Sequence, residues 1–287
     1  MSHYRIVTDS GCDLNQAMID KLNISLVPLT VNFKGAAQPD NVDDGISAFY
    51  DGLRAGEVAT TSAINPTGWE EKIEPILAAG EDVLVITFSS GLSTTYQSAV
   101  IAAEELKEKY PEHTVRVVDS LCASLGQGLL VWYACQKRDA GLSLDELTAW
   151  LEDNKLHLCH WFTVDDLMYL KRGGRVSAAT ALVGTMLQIK PVLHVDDEGH
   201  LINVSKVRGR KASIEALAKK LGELGLAGEN STVFISHGDC IEDAKLLETI
   251  VKERYGVQEV IIGHVGAVIG SHSGPGTLAL FFLGSKR

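Results

Sequence analysis

The sequence predicts a two-domain α/β protein, with a parallel-sheet α/β/α N-terminal domain over residues 1–160 and a mixed-sheet α/β C-terminal domain over residues 161–287. Three observations favour this fold class. Short apolar runs typical of strands alternate with amphipathic, helix-like stretches along the chain. The chain has 287 residues, more than one average domain, and 45% of them are apolar, which is enough for extended cores. The strand-like and helix-like segments alternate at shorter intervals in the second half of the chain, and we expect the domain boundary near residues 155–165.

In the first half of the chain, strand-like runs lead through polar turns into helix-like stretches, which is the order of βαβ units in a parallel sheet. Val83–Phe88 is continuously apolar, as expected for a strand covered on both faces. Asp13 precedes the first helical stretch and is expected to cap it. The elements expected in this half are strands at Arg5–Thr8, Ile24–Phe33, Val83–Phe88 and Thr114–Val118, and helices at Leu14–Leu22, Thr94–Tyr110, 121–140 and Leu144–Asn154.

The second half keeps the alternation and adds a hairpin signal. Asp196–Gly199 is a turn sequence between two strand-like runs, so we expect these runs to pair in an antiparallel hairpin. The Ala-rich segment Ala178–Leu187 is expected to form a buried helix. The other elements expected are strands at Leu156–Phe162, Ile189–Val195, His200–Ser205, Thr232–Ser236, Gln258–Ile262 and Leu278–Leu283, and helices at Asp165–Leu170, Lys211–Leu224 and Ile241–Tyr255.

The charge of the chain excludes several classes of partner. Twenty-six Lys and Arg against 37 Asp and Glu give a formal net charge of −11. Such a charge repels nucleic-acid phosphate and anionic membrane surfaces, so we expect neither nucleic acid nor stable membrane insertion. Any anion that the protein binds must therefore meet a local pocket of cations and hydrogen-bond donors.

The N-terminal sequence and the cysteines favour a cytoplasmic protein. No basic region followed by a long apolar stretch precedes the first strand-like run, so a signal peptide is not expected. The apolar runs are too short to cross a bilayer. The five cysteines are odd in number and widely scattered, which is typical of thiols in a reducing compartment.

Four polar segments fall where strands lead into loops, which is where ligands of open α/β sheets bind. Ser89–Ser93 opens a helix, so its N–H groups and hydroxyls favour an anion, although serine is also a common N-cap. Lys171–Arg175 places three cations around two glycines, which suits a carboxylate or phosphate but also describes a solvated surface loop. The other two segments are Thr60–Ser62 and Gly270–Thr277.

Two histidines leave an enzymatic alternative open. His272 lies between serines in a glycine-rich segment and could donate to an anion or titrate near neutrality. His237 follows an apolar run and could accept a phosphoryl group, but a turn histidine bonded to the backbone explains it equally well. The alternative function is therefore an enzyme that uses His237 or His272 in phosphoryl or acyl transfer.

Several motifs are absent or weak. The sequence contains no GxGxxG, GxxxxGK[ST] or GxSxG motif. His157, Cys159 and His160 are close in sequence, but on a strand His160 faces away from the other two, so no metal site is expected. The basic run Lys206–Lys211 is typical of a solvated helix entrance and could also dock an acidic partner.

A set of short motifs extends over essentially the whole chain. In chain order they are Asp9-Ser10, Thr61-Ser62, Ser89–Ser93 with Thr95–Ala99, Asp119-Ser120 with Gly126–Gly128, Tyr169–Arg175, Lys190-Pro191, Lys206–Arg208 and Gly274–Thr277. Their order resembles that of the DegV family of bacterial fatty-acid-binding proteins. The chain departs from the family pattern at Ala63–Asn65, where Gln-Pro-Ser is usual, at Gly11-Cys12, and at Thr94, where glycine is common. These departures bear on loop contacts and on acyl-chain preference.

The resemblance implies a DegV-like fold with a long-chain fatty acid buried between or beneath the two domains and its carboxylate near the surface. It also implies a partner, an ATP-dependent fatty acid kinase that phosphorylates the bound carboxylate. The chain would then be a carrier subunit with no catalytic residue, metal or cofactor of its own, and Ala178–Leu187 and Leu278–Leu283 would line the acyl tail. The ligand-binding residues expected are Thr61, Ser62, Gly91, Ser93, Arg172 and His272, and the expected partner contacts are Lys206 and Arg208.

Overall fold

The structure is a computed structural model that describes residues 4–40, 42–43, 45–176, 188–226 and 228–287. The helix expected at Ala178–Leu187 lies outside the described residues. The strands are β1 (Tyr4–Asp9), β2 (Ser25–Val27), β3 (Thr30–Phe33), β4 (Ala36–Pro39), β5 (Thr60–Ser62), β6 (Asp82–Thr87), β7 (Val115–Asp119), β8 (Leu158–Thr163), β9 (Ile189–Val195), β10 (Leu201–Arg208), β11 (Thr232–His237), β12 (Glu259–His264) and β13 (Leu278–Leu283). The α-helices are α1 (Gln16–Leu22), α2 (Ile46–Arg54), α3 (Pro66–Ala78), α4 (Thr95–Lys109), α5 (Leu125–Asp139), α6 (Leu144–Asn154), α7 (Leu167–Arg172), α8 (Arg210–Leu224), α9 (Ile241–Tyr255) and α10 (Ala267–Ser273).

The N-terminal unit is built on a four-stranded sheet in the order β2-β1-β6-β7. All three strand pairings in this sheet are parallel, which confirms the parallel sheet predicted from the βαβ pattern. Val83, Leu84 and Val85 on β6 are fully buried, as expected for a central strand covered on both faces. The carboxyl ends of β1, β6 and β7 therefore meet at one edge of the sheet.

A second, small antiparallel sheet in the order β4-β3-β5 lies in the same unit and was not predicted. The single strand expected at Ile24–Phe33 is wrong, because the chain leaves the parallel sheet after Val27 and enters the small sheet at Thr30. Pro28 lies at this break, and proline has no N–H to donate to a strand ladder. Thr60–Ser62, expected as a loop, forms β5 at the edge of this sheet.

The C-terminal unit is built on a six-stranded mixed sheet in the order β10-β9-β8-β13-β11-β12. Among the described residues of this sheet, only the β11–β12 pairing is parallel, so the mixed sheet predicted for this half is confirmed. The hairpin of β9 and β10 is also confirmed, with Leu201 opposite Val195 next to the turn. The predicted boundary after residue 160 falls inside β8, which pairs with β13 along its whole length.

Helix α5 joins the cores of the two units. Leu125 and Leu129 of α5 belong to the same buried cluster as Phe234 and Phe281 of the mixed sheet. Since α5 also packs on α6 and on the segment after β1, one apolar core extends from the parallel sheet to the mixed sheet. Among the described residues, no helix is both long and apolar enough to cross a bilayer.

Asp13 has a different role from the one predicted. Helix α1 begins at Gln16, two residues later than expected, and Asn15 caps it by accepting a hydrogen bond from the Met18 N–H at 2.9 Å. Asp13 has a left-handed backbone with φ of 52° and is 2% exposed, so it faces the interior. Its Oδ1 accepts a hydrogen bond from the Gly266 N–H, at 3.0 Å, just before α10.

Helix α10 forms where the sequence predicted a glycine-rich loop, and the N-terminal unit supplies its cap. The first N–H groups of a helix have no partner within the helix. Here Asp40 Oδ1 accepts from the Val268 N–H at 2.9 Å, beside the bond from Asp13 to Gly266. Tyr50 donates its hydroxyl to the Val265 carbonyl at 2.8 Å. Three side chains of one unit therefore fix the helix of the other.

We expect two buried carboxyl groups, those of Asp40 and of Asp9 at the end of β1, to make stability depend on pH. Burial raises the pKa of Asp40 to about 6 and that of Asp9 to about 7, whereas an unfolded Asp titrates near about 3.9. The fold therefore favours the neutral acids, and their contribution to stability is lost as the pH rises through these values. Asp40→Asn stays neutral and should reduce the fall in unfolding free energy between about pH 4 and pH 7 by on the order of 3 kcal/mol.

Urea unfolding at a series of pH values measures this effect. Asp153→Asn, at an exposed position of α6, is the matched control and should leave the pH dependence unchanged. An Asp40→Asn protein with the same pH dependence as the unsubstituted chain would show that Asp40 does not carry the effect.

Candidate functional site

A cavity of about 430 Å³ lies between the two units, within the size range of small-molecule sites. The N-terminal unit contributes residues of β5 and residues that follow β6 and β7. The C-terminal unit contributes residues of β8, β9, β10, β11 and β13, residues of α7 and α10, and Arg175. The lining residues that the argument below uses are Thr61, Ser62, Phe88, Ser93, Ser124, Phe162, Leu170, Arg175, Val195, Ser236, Val268, His272, Ser273, Ala279 and Phe281.

The inner wall of the cavity is mostly apolar and buried. Phe88, Phe162, Leu170 and Val195 are each less than a tenth exposed. The predicted last strand, Leu278–Leu283, is present as β13, and only its alternate residues Ala279 and Phe281 line the cavity. The intervening residues of β13 belong to the core on the other face of the sheet, because side chains alternate along a strand.

The mouth of the cavity is polar. Ser62, Ser90 and Thr94 are exposed, and Ser93 and Thr61 are half-buried. The cavity thus has hydroxyl groups where it meets solvent and hydrocarbon side chains further in. Four of the predicted ligand-binding residues, Thr61, Ser62, Ser93 and His272, line it together.

Thr61 and His272 form a contact between the two units. Thr61 Oγ1 lies 2.8 Å from His272 Nε2, and His272 Nδ1 is buried without a hydrogen-bond partner. Burial and then the Arg175 charge lower the pKa of His272 to about 4, so the ring is neutral at pH 7. A neutral ring carries one N–H, and placing it on Nε2 avoids an unpartnered buried N–H at Nδ1. In that tautomer His272 donates to Thr61 Oγ1, and the Thr61 hydroxyl proton is free to point into the cavity.

The Ser89–Ser93 loop is held from both sides. Ser90 N–H donates to Asp119 Oδ1 at 3.1 Å, and Ser89 Oγ donates to the Gly199 carbonyl of the hairpin turn at 2.9 Å. Gly91 packs against the backbone of Gly199, where a Cβ would not fit, and it does not line the cavity. The predicted residue Gly91 therefore contacts protein backbone, and Ser93 is the predicted residue of this loop that reaches the cavity.

The basic segment 171–175 presents a different arginine from the one predicted. Arg172 is exposed and lies outside the cavity lining. Its guanidinium carbon lies over the Tyr169 ring, 5.2 Å from the ring centroid. Arg175 lines the cavity and donates from Nη2 to the Leu92 carbonyl at 2.9 Å. Gly173 packs directly on His272 Nδ1, leaving no room for a Cβ. The segment thus brings one guanidinium and the His272 ring to the mouth.

The remaining predicted residues lie outside the cavity. Lys206 and Arg208 are exposed on β10, an edge strand of the mixed sheet. His237 is 3% exposed, its Nδ1 accepts from the Cys240 N–H at 3.2 Å, and burial lowers its pKa to about 4. Within the described ranges, no three His, Cys, Asp or Glu side chains are arranged to hold a metal ion.

Sequence reasoning did not select several polar residues that line the cavity, among them Arg175, Ser124 and Ser236. Arg175 belongs to the predicted basic segment, but the motif does not show which of its cations turns inward. Ser124 and Ser236 are buried hydroxyls on the inner wall. Ser236 is the last residue of a predicted strand, and Ser124 follows the Asp119-Ser120 motif, so position at a strand end was the only available signal.

Comparisons with known proteins agree with this architecture. A family model described as "Uncharacterised protein, DegV family" matches residues 3–285. A DegV domain-containing protein of Clostridium perfringens is 45% identical over 289 residues, covering 100% of this chain and 99% of that protein. The crystal structure of a DegV lipid binding protein from Thermotoga maritima has a TM-score of 0.86 at 32% identity, covering 99% of each chain. A DegV family protein from Thermus thermophilus, described by its fatty acid binding, has a TM-score of 0.87 at 32% identity, covering 98% of this chain and 99% of that one.

We expect His272 to stay neutral and in one tautomer from about pH 5 to pH 8, because its lowered pKa lies below that range. Long-range ¹H–¹⁵N spectra of the histidine-labelled protein measure both ring nitrogens, and the protonated nitrogen should be Nε2. His272→Gln identifies the signals. A ring that becomes cationic within this range, or that carries its proton on Nδ1, would contradict the assignment.

Proposed function

Because the chain belongs to the DegV family, we propose that it binds a long-chain fatty acid in the cavity and presents the carboxylate at the mouth to a partner kinase. The observation that carries this proposal is the division of one cavity into an apolar inner wall and a polar mouth. Relatives at 32% identity described as lipid binding or fatty acid binding support it.

The apolar wall suits the acyl tail. Each methylene removed from water contributes about 0.8 kcal/mol, so a long chain gains most of its affinity from burial. The phenylalanines Phe88, Phe162 and Phe281 with Val195 provide this surface. The tail needs no specific polar contact to be held.

The mouth suits the carboxylate. A carboxylate that leaves water needs hydrogen-bond donors, and donors that carry a charge are the strongest. The hydroxyl donors are Thr61, Ser62 and Ser93, and Arg175 supplies a cation. Thr61 can donate because it accepts its hydrogen bond from His272, which leaves its own hydroxyl proton available. In a chain of net charge −11, this local group of donors offsets the repulsion of an anion.

The partner in this proposal is a separate ATP-dependent fatty acid kinase. A carboxylate oxygen of the bound acid attacks the γ-phosphorus of ATP, an O–P bond forms, and ADP leaves with the electron pair of the broken bond. Exposed Ser62 and Thr94 at the mouth leave the carboxylate within reach of a second protein. Arg175 offsets the charge that develops on the acyl-phosphate, and exposed Lys206 and Arg208 are the proposed contacts for an acidic surface of the kinase.

We expect Thr61→Val to weaken fatty acid binding about tenfold or more, because it removes one hydrogen bond to a charged group without changing side-chain shape. The measurement is palmitic acid binding to delipidated protein, with mass spectrometry of the acid that co-purifies. Thr60→Val, on the same strand but outside the cavity lining, is the matched control and should bind normally. If the unsubstituted protein retains no fatty acid, before or after incubation, the proposal is wrong.

We expect Arg175→Ala to lower acyl-phosphate formation by a fatty acid kinase and ATP more than it lowers fatty acid retention, since burial of the tail dominates binding. Arg172→Ala is the control, because Arg172 lies outside the cavity lining. The acyl-phosphate is trapped with hydroxylamine and quantified as the hydroxamate. If the Arg175 and Arg172 variants support equal acyl-phosphate formation, Arg175 has no role in the reaction. Acyl-phosphate formation that depends on His272 and needs no kinase would favour the enzymatic alternative.

A further inference from the structure

The inner wall contains hydroxyl groups that a plain hydrocarbon tail does not use. Ser236 is completely buried and Ser124 is 5% exposed, yet both line the cavity. Ser273, also in the lining and 4% exposed, has no hydrogen-bond partner for its Oγ. Buried polar groups in proteins normally have at least one hydrogen-bond partner. Ser124 and Ser236 have one in each other, whereas the unpartnered Ser273 Oγ requires an explanation.

The backbone places these hydroxyls on the cavity side. Ser236 pairs with Ala279 across β11 and β13, and Ala279 lines the same cavity. Ser124 has φ of 55° and ψ of −149°, a conformation that is unfavourable for residues other than glycine. This strained turn holds Ser124 Oγ in a hydrogen bond with Asp13 Oδ2 and 2.9 Å from Ser236 Oγ.

The protons along Asp13, Ser124 and Ser236 can be arranged in two ways, and in both of them Ser236 keeps unused hydrogen-bonding capacity. If the Asp13 carboxyl is protonated, it donates to Ser124, Ser124 donates to Ser236, and the Ser236 proton has no acceptor in the described chain. If Asp13 is ionised, Ser124 donates to Asp13, Ser236 donates to Ser124, and a lone pair of Ser236 Oγ stays free. In either state Ser236 can make one more hydrogen bond with whatever occupies the cavity.

The group that satisfies Ser236 in both states must both donate and accept. A hydroxyl does so, a ketone only accepts, and a methylene does neither. We propose that the preferred ligand is a hydroxy fatty acid whose tail hydroxyl bonds to Ser236 Oγ. This inference rests on the proposed function, because it assigns the tail of the same fatty acid to the inner wall.

The advantage of the hydroxyl is modest and measurable. A neutral hydrogen bond contributes about 0.5–1.5 kcal/mol, which corresponds to roughly a three- to tenfold difference in affinity. An unsubstituted chain still binds, since its methylenes meet the apolar wall. The hydroxyl therefore selects among long-chain acids of similar length.

The test is competitive loading of the delipidated protein with stearic acid and hydroxystearic acids that carry the hydroxyl at different carbons, quantified by mass spectrometry. At least one isomer with a hydroxyl in the tail should load roughly three- to tenfold better than stearic acid. The control ligand is 2-hydroxystearic acid, whose hydroxyl lies beside the carboxylate and cannot reach the inner wall. Ser236→Ala should remove the preference and retain stearic acid, whereas Ser62→Ala, at the mouth, should weaken both acids and retain the preference.

The outcomes separate this inference from the proposed function. If no acid loads, the proposed function fails. If stearic acid loads and no tail-hydroxylated isomer is preferred, the inference is overturned while the proposed function stands. A preference that persists in Ser236→Ala overturns the assignment to Ser236, and the isomer panel on the unsubstituted protein decides the preference itself if that variant does not fold.

Discussion

The position of α10 is fixed by carboxyl groups that come from the other half of the chain. Asp13 and Asp40 accept hydrogen bonds from the backbone N–H groups of Gly266 and Val268, which no residue within the helix could satisfy. The same short helix supplies Val268 and His272 to the cavity wall. The 2.8 Å contact between His272 and Thr61 across the cavity mouth therefore depends on a contact between the units at the opposite end of the helix.

The strands were largely predictable because a strand buried on both faces has a continuously apolar sequence. Val83–Phe88 and Leu278–Leu283 are continuous apolar runs, and both form central strands. The helix at Ala267–Ser273 was not predictable, because glycine and serine have low helix propensity and this helix is stabilised by distant carboxyl groups. Local sequence contains no information about Asp13 or Asp40 as its caps.

The site was predictable to the level of segments and less so to the level of side chains. The hydroxyl residues Thr61, Ser62 and Ser93 were selected from strand ends and motifs, and all three line the cavity. The basic segment was selected as well, but the structure turns Arg175 inward and leaves Arg172 on the Tyr169 ring. Which cation turns inward depends on how the chain folds back at Gly173 onto His272, a contact that forms only in the tertiary structure.

The contact of Gly91 and Ser89 with the Glu198–Gly199 turn has a thermodynamic consequence. This contact between the two units closes the cavity on one side, so the cavity exists only while the units are docked. A molecule that fills the cavity binds the docked state and not the separated one, so by mass action it shifts the equilibrium toward the docked units. Ligand occupancy and docking of the units are therefore linked: a filled cavity raises the free energy needed to separate the two units, and an empty cavity lowers it.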